Sequence, residues 1–120
     1  MDKVDKFVKE IYTELIEKDI VVYKNMLDNK KNEPSISQYA KDIDTIYKRL
    51  SSEEKDAFLR IIKQTNIDTI SALLRIIDGF GNINYDGIEP KLFLGGQDTD
   101  GDVQDLFLEY IEEIEEMDDK

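Results

Sequence analysis

Ile67-Asp68-Thr69-Ile70-Ser71-Ala72-Leu73-Leu74-Arg75-Ile76-Ile77-Asp78-Gly79 is the stretch on which the fold turns. Its apolar residues Ile67, Ile70, Ala72, Leu73, Leu74, Ile76 and Ile77 surround a helix axis instead of forming one stripe. A helix of that kind is normally central and buried. The pattern therefore predicts a core helix over about 67–78. Asp78-Gly79 ends it, because glycine accepts the left-handed conformation just past a helix. Arg75 is the only base in this helix, and a structural ion pair with Asp68 or with an acid on another helix is its expected role.

Upstream of this stretch the chain has no glycine, since all six lie between Gly79 and Gly101. A glycine inside a helix costs ~1 kcal/mol relative to alanine, so a glycine-free stretch tolerates long helices. Phe58, Leu59, Ile61 and Ile62 supply the face of a preceding helix, and Thr65-Asn66 predicts a break or kink between the two. Ser51-Ser52-Glu53-Glu54 starts that helix. Either serine can accept from a free amide, and acids in the first turn suit the dipole. An earlier helix is expected over 37–50, with Tyr39, Ile43, Ile46, Tyr47 and Leu50 inward. The first helix is expected over 2–28, capped by Asp2. Val4, Phe7, Val8, Ile11, Leu15, Val22 and Met26 lie along one side of it, and Tyr12, Ile16, Ile20, Tyr23 and Leu27 widen the stripe. The polar residues 29–34 end it. Tyr12, Tyr23, Tyr39 and Tyr47 fall mostly on faces that also carry aliphatics, so they read as core or core edge.

Downstream, residues 80–97 form either a hairpin turning on Asp86-Gly87 or a packed loop. Pro90 would need an edge position, because it cannot donate to a ladder. The final helix is the clearest element. Val103, Leu106, Phe107, Tyr110, Ile111, Ile114 and Met117 make one apolar stripe, with Leu108 outside it. The expected fold is mainly α: a single helical domain over 1–120, built as one compact bundle of about five helices with a short hairpin or irregular loop before the C-terminal helix.

Composition excludes several chemistries. The chain has no cysteine and no histidine. Disulfides, thiolate metal sites, the usual zinc sites and the Ser–His–Asp arrangement cannot be built. Ser51, Ser52 and Ser71 have no base nearby in sequence, so no nucleophile is supported. Catalytic residues and cofactors are therefore expected to be none, leaving carboxylates, lysine or a hard metal ion as the remaining means of catalysis. No basic N-terminal region leads into an apolar stretch, and no run approaches the ~20 apolar residues of a spanning helix, so a soluble, cytoplasmic protein without a membrane partner is expected. A pI near 4.4 argues against nucleic acid, whose phosphates are met by Lys/Arg clusters.

Charge is polarised along the chain. Residues 98–120 hold eleven acids and one base, a net of ten of the twelve negative charges, whereas the other 97 residues hold seventeen acids and fifteen bases. Two sites follow from this. Asp98-Thr99-Asp100-Gly101-Asp102, with Glu109 twelfth, partly matches an EF-hand loop and makes Asp98, Asp100, Asp102 and Glu109 the candidate metal ligands. The match fails at the sixth position, Val103 in place of glycine, and at the eighth, Asp105 in place of an apolar residue. Asp100 or Asp102 as the cap of the last helix explains the same residues, so no metal is expected. The second site is the acidic face of the last helix, with Asp105, Glu109, Glu112, Glu113 and Glu116 as partner-binding candidates. It reads either as a solvated surface or as a surface for a basic protein. Glu115, Glu116, Asp118 and Asp119 lie at or beyond the helix end, where the dipole disfavours negative charge, so local helix stability does not explain them.

Two strings, Ile67-Asp68-Thr69-Ile70 through Ile77-Asp78-Gly79 and Gly101-Asp102-Val103-Gln104-Asp105-Leu106-Phe107-Leu108-Glu109, resemble small, acidic, stand-alone bacterial proteins of unassigned function. Some of these look like immunity proteins, which neutralise a toxin made by the same cell. The resemblance covers roughly the second half of the chain and carries no catalytic residues. It implies a stoichiometric binder, an immunity- or antitoxin-like protein whose partner is basic, such as a toxin. The alternatives are a bacterial regulatory or divalent-metal-binding protein and, third, an enzyme using carboxylates.

Overall fold

The glycine-free part of the chain does become long helices. The computed structural model describes residues 2–28, 37–80 and 89–118. Four helical rods account for most of them. The first is continuous and has three parts: α1 (Lys3–Tyr12), a π-helical turn (Thr13–Glu17) and α2 (Lys18–Asp28). Then come α3 (Gln38–Tyr47), α4 (Ser52–Ile77), a small antiparallel pair β1 (Phe93–Leu94) and β2 (Gln97–Asp98), and α5 (Val103–Asp118).

Local chemistry sets the helix starts. The Asp2 carboxylate accepts from the Val4 amide at 3.2 Å, and Ser37 Oγ accepts from the Ala40 amide at 3.1 Å. At α4 the serine that caps is Ser51. Its Oγ accepts from the Glu54 amide, while the Glu54 carboxylate accepts from the Ser51 amide at 2.8 Å. This reciprocal box satisfies two amides that a helix start otherwise leaves open.

The expected break at Thr65-Asn66 does not occur, and 52–77 is one helix of 26 residues. Nothing there removes a ladder bond. Thr65 Oγ1 donates back to the Ile61 carbonyl at 2.9 Å, and Asn66 Nδ2 donates to the Asp19 carboxylate at 3.4 Å, so both polar side chains are satisfied with the helix intact. Its second half is also not buried all round. Ile67, Ser71 and Leu74 are buried, Ile70 and Ile77 pack at the edge, and Ala72 and Leu73 are exposed. Too few elements surround α4 to cover its whole circumference.

The π turn corrects the reading of the first rod. The Lys18 amide donates to the Thr13 carbonyl, five residues back instead of four. That extra residue changes the helical phase. Val4, Val8, Tyr12 and Ile16 are all buried at a strict spacing of four, and the buried side continues through Ile20 and Leu27. A straight α-helix would drift away from that spacing and carry Leu15, Val22 and Met26 inward, as the 3.6 period predicts. In the structure those three are exposed.

Tyr39 and Ile46, expected inward, are also exposed, and α3 ends at Tyr47 instead of Leu50. This helix buries one narrow side, Ile43 and Tyr47, against α2 and α4. Of the four upstream tyrosines, Tyr12 and Tyr47 are buried, Tyr23 is half-buried and Tyr39 lies outside the core.

The helices pack into two clusters instead of one bundle core. The larger joins Val4, Val8, Tyr12 and Ile16 of the first rod, Ile67 and Leu74 of α4, and Val103, Phe107 and Ile111 of α5. The smaller has Leu27, Tyr47 and Leu59 at its centre. The radius of gyration is 18.0 Å, against ~14 Å for a compact chain of this length.

Asp78 organises the end of α4. Gly79 adopts φ 89°, its amide donates to the Ile76 carbonyl, and the Phe80 amide donates to the Arg75 carbonyl. This is the glycine stop expected from sequence, in its two-bond Schellman form. The Asp78 carboxylate then accepts from the Val103 and Gln104 amides at 3.4 and 2.8 Å. The carboxylate at the start of α5 therefore comes from 25 residues upstream, not from Asp100 or Asp102. Asp102 contributes its backbone carbonyl, which accepts from Leu106. Arg75 Nε donates to the Phe80 carbonyl, and Asp68 accepts from Gln64, in place of the expected pairing between the two.

The proposed turn at Asp86-Gly87 lies outside the described residues. The hairpin that is present sits later, turning on Gly95-Gly96, both with positive φ. Lys3 Nζ reaches the Gly95 carbonyl and Gln97 Nε2 reaches Asp2, which fastens the hairpin to the start of α1.

Phe107 is fully buried, so Phe107→Ala is expected to cost ~3–5 kcal/mol in a denaturant melt. Met117 was placed on the same stripe but is 75% exposed, one turn beyond the last contact with the core. Met117→Ala is expected to stay within ~0.5 kcal/mol of wild type.

Burial and the 2.6 Å hydrogen bond to Asp28 push the Tyr47 hydroxyl up to about 12. The folded state thus favours the neutral phenol. Its contribution is complete below the ordinary value near 10 and is lost as pH rises from there through about 12. Tyrosinate absorbance should show one late-titrating group that Tyr47→Phe removes, and wild type should lose stability over the same window.

Candidate functional site

The alternation of α5 follows from its burial. Val103, Phe107 and Ile111 are spaced by four and sit in the main core, with Leu106, Tyr110 and Ile114 packed against it. That leaves Asp105, Glu109, Glu112, Glu113 and Glu116 exposed, together with Glu115 and Asp118. All five candidate partner-binding residues therefore lie on solvent-facing parts of one rigid helix. Leu108 is also largely exposed among them.

Two of the five border a concavity. Glu109 and Glu113 join Asp5 and Lys9 of α1 around a cleft of about 200 Å3, floored by Val8, Leu106 and Tyr110. Lys9 Nζ lies 5.7 Å from the centre of the Tyr110 ring. Tyr110 in turn meets Tyr12 edge to face, with ring centres 5.6 Å apart, and Lys63 Nζ lies 6.0 Å from the Tyr12 ring. Burial, with help from the Glu17 carboxylate, raises the Tyr110 hydroxyl above its ordinary value. It therefore stays a neutral donor at physiological pH. Asp105, Glu112 and Glu116 are not part of this cleft.

Sequence reasoning missed Asp5 and Lys9 as neighbours of the acidic face. The available signal was the i, i+4 pair Asp5/Lys9 on the first helix, but which helix would lie beside α5 could not be read from spacing.

The partial EF-hand pattern does not assemble into one site. Asp98 ends β2, and its carboxylate accepts from the Asp100 amide at 2.9 Å. Asp100 and Gly101 both take positive φ, 56° and 71°. α5 then begins at Val103, where the calcium loop would make its sharp turn. Glu109 is carried up the helix to the cleft beside α1, whereas Asp98 and Asp100 border a different cleft with Asp78, Phe80 and residues 89–92. Among the described residues no group of three or more acidic side chains is arranged to share a metal ion. Calorimetry with calcium in about 0.15 M salt, which screens diffuse attraction, is expected to give no saturable micromolar site.

The serines have structural roles. Ser51 caps α4, and Ser71 Oγ accepts from Gln104 Nε2 at 3.1 Å across the α4–α5 contact. Thr99 is buried, and both its amide and its hydroxyl donate to the Leu92 carbonyl. Among the described residues no helix is long and apolar enough to cross a membrane.

No family model, no curated protein and no solved structure matches this chain.

Proposed function

We infer that the protein is a non-catalytic binding module that takes a basic protein partner through the acidic face of α5, and that it acts as an immunity- or antitoxin-like protein. The observation that carries this reading is the set of exposed carboxylates Asp105, Glu109, Glu112, Glu113 and Glu116 on one helix fixed by its buried side. Charges held on a rigid element keep their pattern in the free protein, which favours fast, steered encounter. Support also comes from the acids at the C-terminal turn, where each is disfavoured by a few tenths of a kcal/mol. An oppositely charged partner would compensate for that local cost. A basic toxin covered by this face would lose access to its substrate. The absence of histidine and cysteine from the chain supports a non-catalytic role, and the reading places the protein in the cytoplasm.

The test is the fourfold substitution of Glu109, Glu112, Glu113 and Glu116 by glutamine. Glutamine keeps helix propensity nearly unchanged. Stability should hold or rise slightly, because mutually repelling charges are removed. Affinity for a partner captured from the source cell should fall, mainly through a slower on-rate, and added salt should mimic the effect on wild type. Indifference of that affinity to both changes would leave the face as solvated surface only.

A further inference from the structure

The seam between the first rod and α4 is open and apolar. Val22, Tyr39, Ile61 and Leu73 are each more than half exposed, at 62%, 60%, 64% and 54%. Two grooves meet there. One, of about 360 Å3, is walled by Leu27, Tyr39, Ile43, Phe58 and Ile61; the other, of about 250 Å3, runs past Leu15, Asp19, Thr69 and Ile70. They share Asn66, whose side chain bonds across the seam to Asp19. Leu73 lies one turn beyond Thr69. Val22 and Met26, exposed on α2 at i and i+4, form a ridge on one side of that helix.

We propose that this face is covered by a second copy of the same chain, giving a two-fold dimer. Three observations select that occupant. First, the patch carries both a ridge and a groove, which is what a face needs to be complementary to itself. Second, Leu15, Val22, Met26, Tyr39, Ile61 and Leu73 leave on the order of 100 Å2 each in solvent, roughly 600 Å2 together, at the top of the range for a monomer's largest apolar patch and approaching the ~800 Å2 one partner gives a standard interface. The smaller core beneath holds three buried residues among those described, and the contact would complete it. Third, charge permits self-contact here and forbids it at the other end. Residues 15–73, which contain every residue of the patch, carry ten bases and ten acids, whereas residues 98–120 carry ten net negative charges. Two copies meeting through this face keep their acidic helices apart. This inference is independent of what α5 binds.

Sedimentation equilibrium of the full chain over about 1–100 µM, in about 0.15 M salt, is the primary test. Wild type should show the dimer mass. Val22→Glu combined with Ile61→Glu should raise the dissociation constant at least about tenfold, as expected when charge enters a desolvated contact. Both side chains are already exposed, so far-UV circular dichroism at low concentration should match wild type. A second measurement does not depend on that variant. The chain has no cysteine, so Val22→Cys introduces a single thiol. A short bismaleimide should link two copies through it, whereas Glu112→Cys on the acidic helix should link far less. A mass that stays monomeric throughout would overturn the proposal. So would a dimer untouched by the double substitution, equal linking at both positions, or a monomer whose groove takes an amphipathic peptide.

Discussion

One carboxylate joins the two helices on which everything else rests. Asp78 sits at the C-terminal end of α4, where a negative charge is mildly unfavourable, and accepts from the first amides of α5, where it is favourable. Capping interactions of this kind contribute ~0.5–2 kcal/mol. The geometric effect matters more than the energy. With the left-handed Gly79 stopping α4 and Asp78 holding the start of α5, the crossing of the two helices is fixed at its apex. Ser71 and Gln104 bond one step further along the same contact. Val103, Phe107 and Ile111 are thereby aimed at α1, and the acidic side chains are aimed at solvent.

How much of this could be read in advance depended on how local each cause was. The cap at Asp2, the start of α4 at Ser51-Ser52, the glycine stop at Gly79 and the inward set Val103, Phe107 and Ile111 were legible, because each follows from residues within one or two turns; which serine caps was not. The continuity of α4 was misread. Thr65 and Asn66 are weak helix formers, but their side chains are satisfied by Ile61 and by Asp19 on another helix, and the second of these partners is invisible to a local reading. The inward face of α2 was misread for a different reason. Period analysis assumes one helical pitch, and the π turn changes it. The Asp78 cap was missed because its partner amides lie 25 residues downstream. At the candidate site, the five acids on α5 were legible from the stripe opposite them. Their neighbours Asp5 and Lys9 required the packing of α1 on α5, which no spacing reveals.

The molecule divides its physical tasks between two ends. The end built from α1, the second half of α4 and α5 contains the larger core and nearly all the net charge. The end built from α2, α3 and the first half of α4 is near neutral, has a small core and leaves apolar side chains in solvent. The long helix α4 contributes to both cores and links the two ends. A chain of this size with one compact core would have had no room for such a division, since nearly all its apolar surface would be needed inside.

The π turn at 13–17 works like an extra tooth in a gear. Closing it to ordinary α pitch with every residue kept would rotate everything downstream by about 100°. Tyr23 and Leu27 would swing away from α4, and Val22 and Met26 would swing toward it. Both sets are apolar, so the rotated helix would still find a greasy side to bury. The first rod therefore encodes two meshings with α4, and the pitch of the turn between Tyr12 and Lys18 chooses between them. A change of pitch at that point would alter which surface the protein shows, while leaving its helix content nearly untouched.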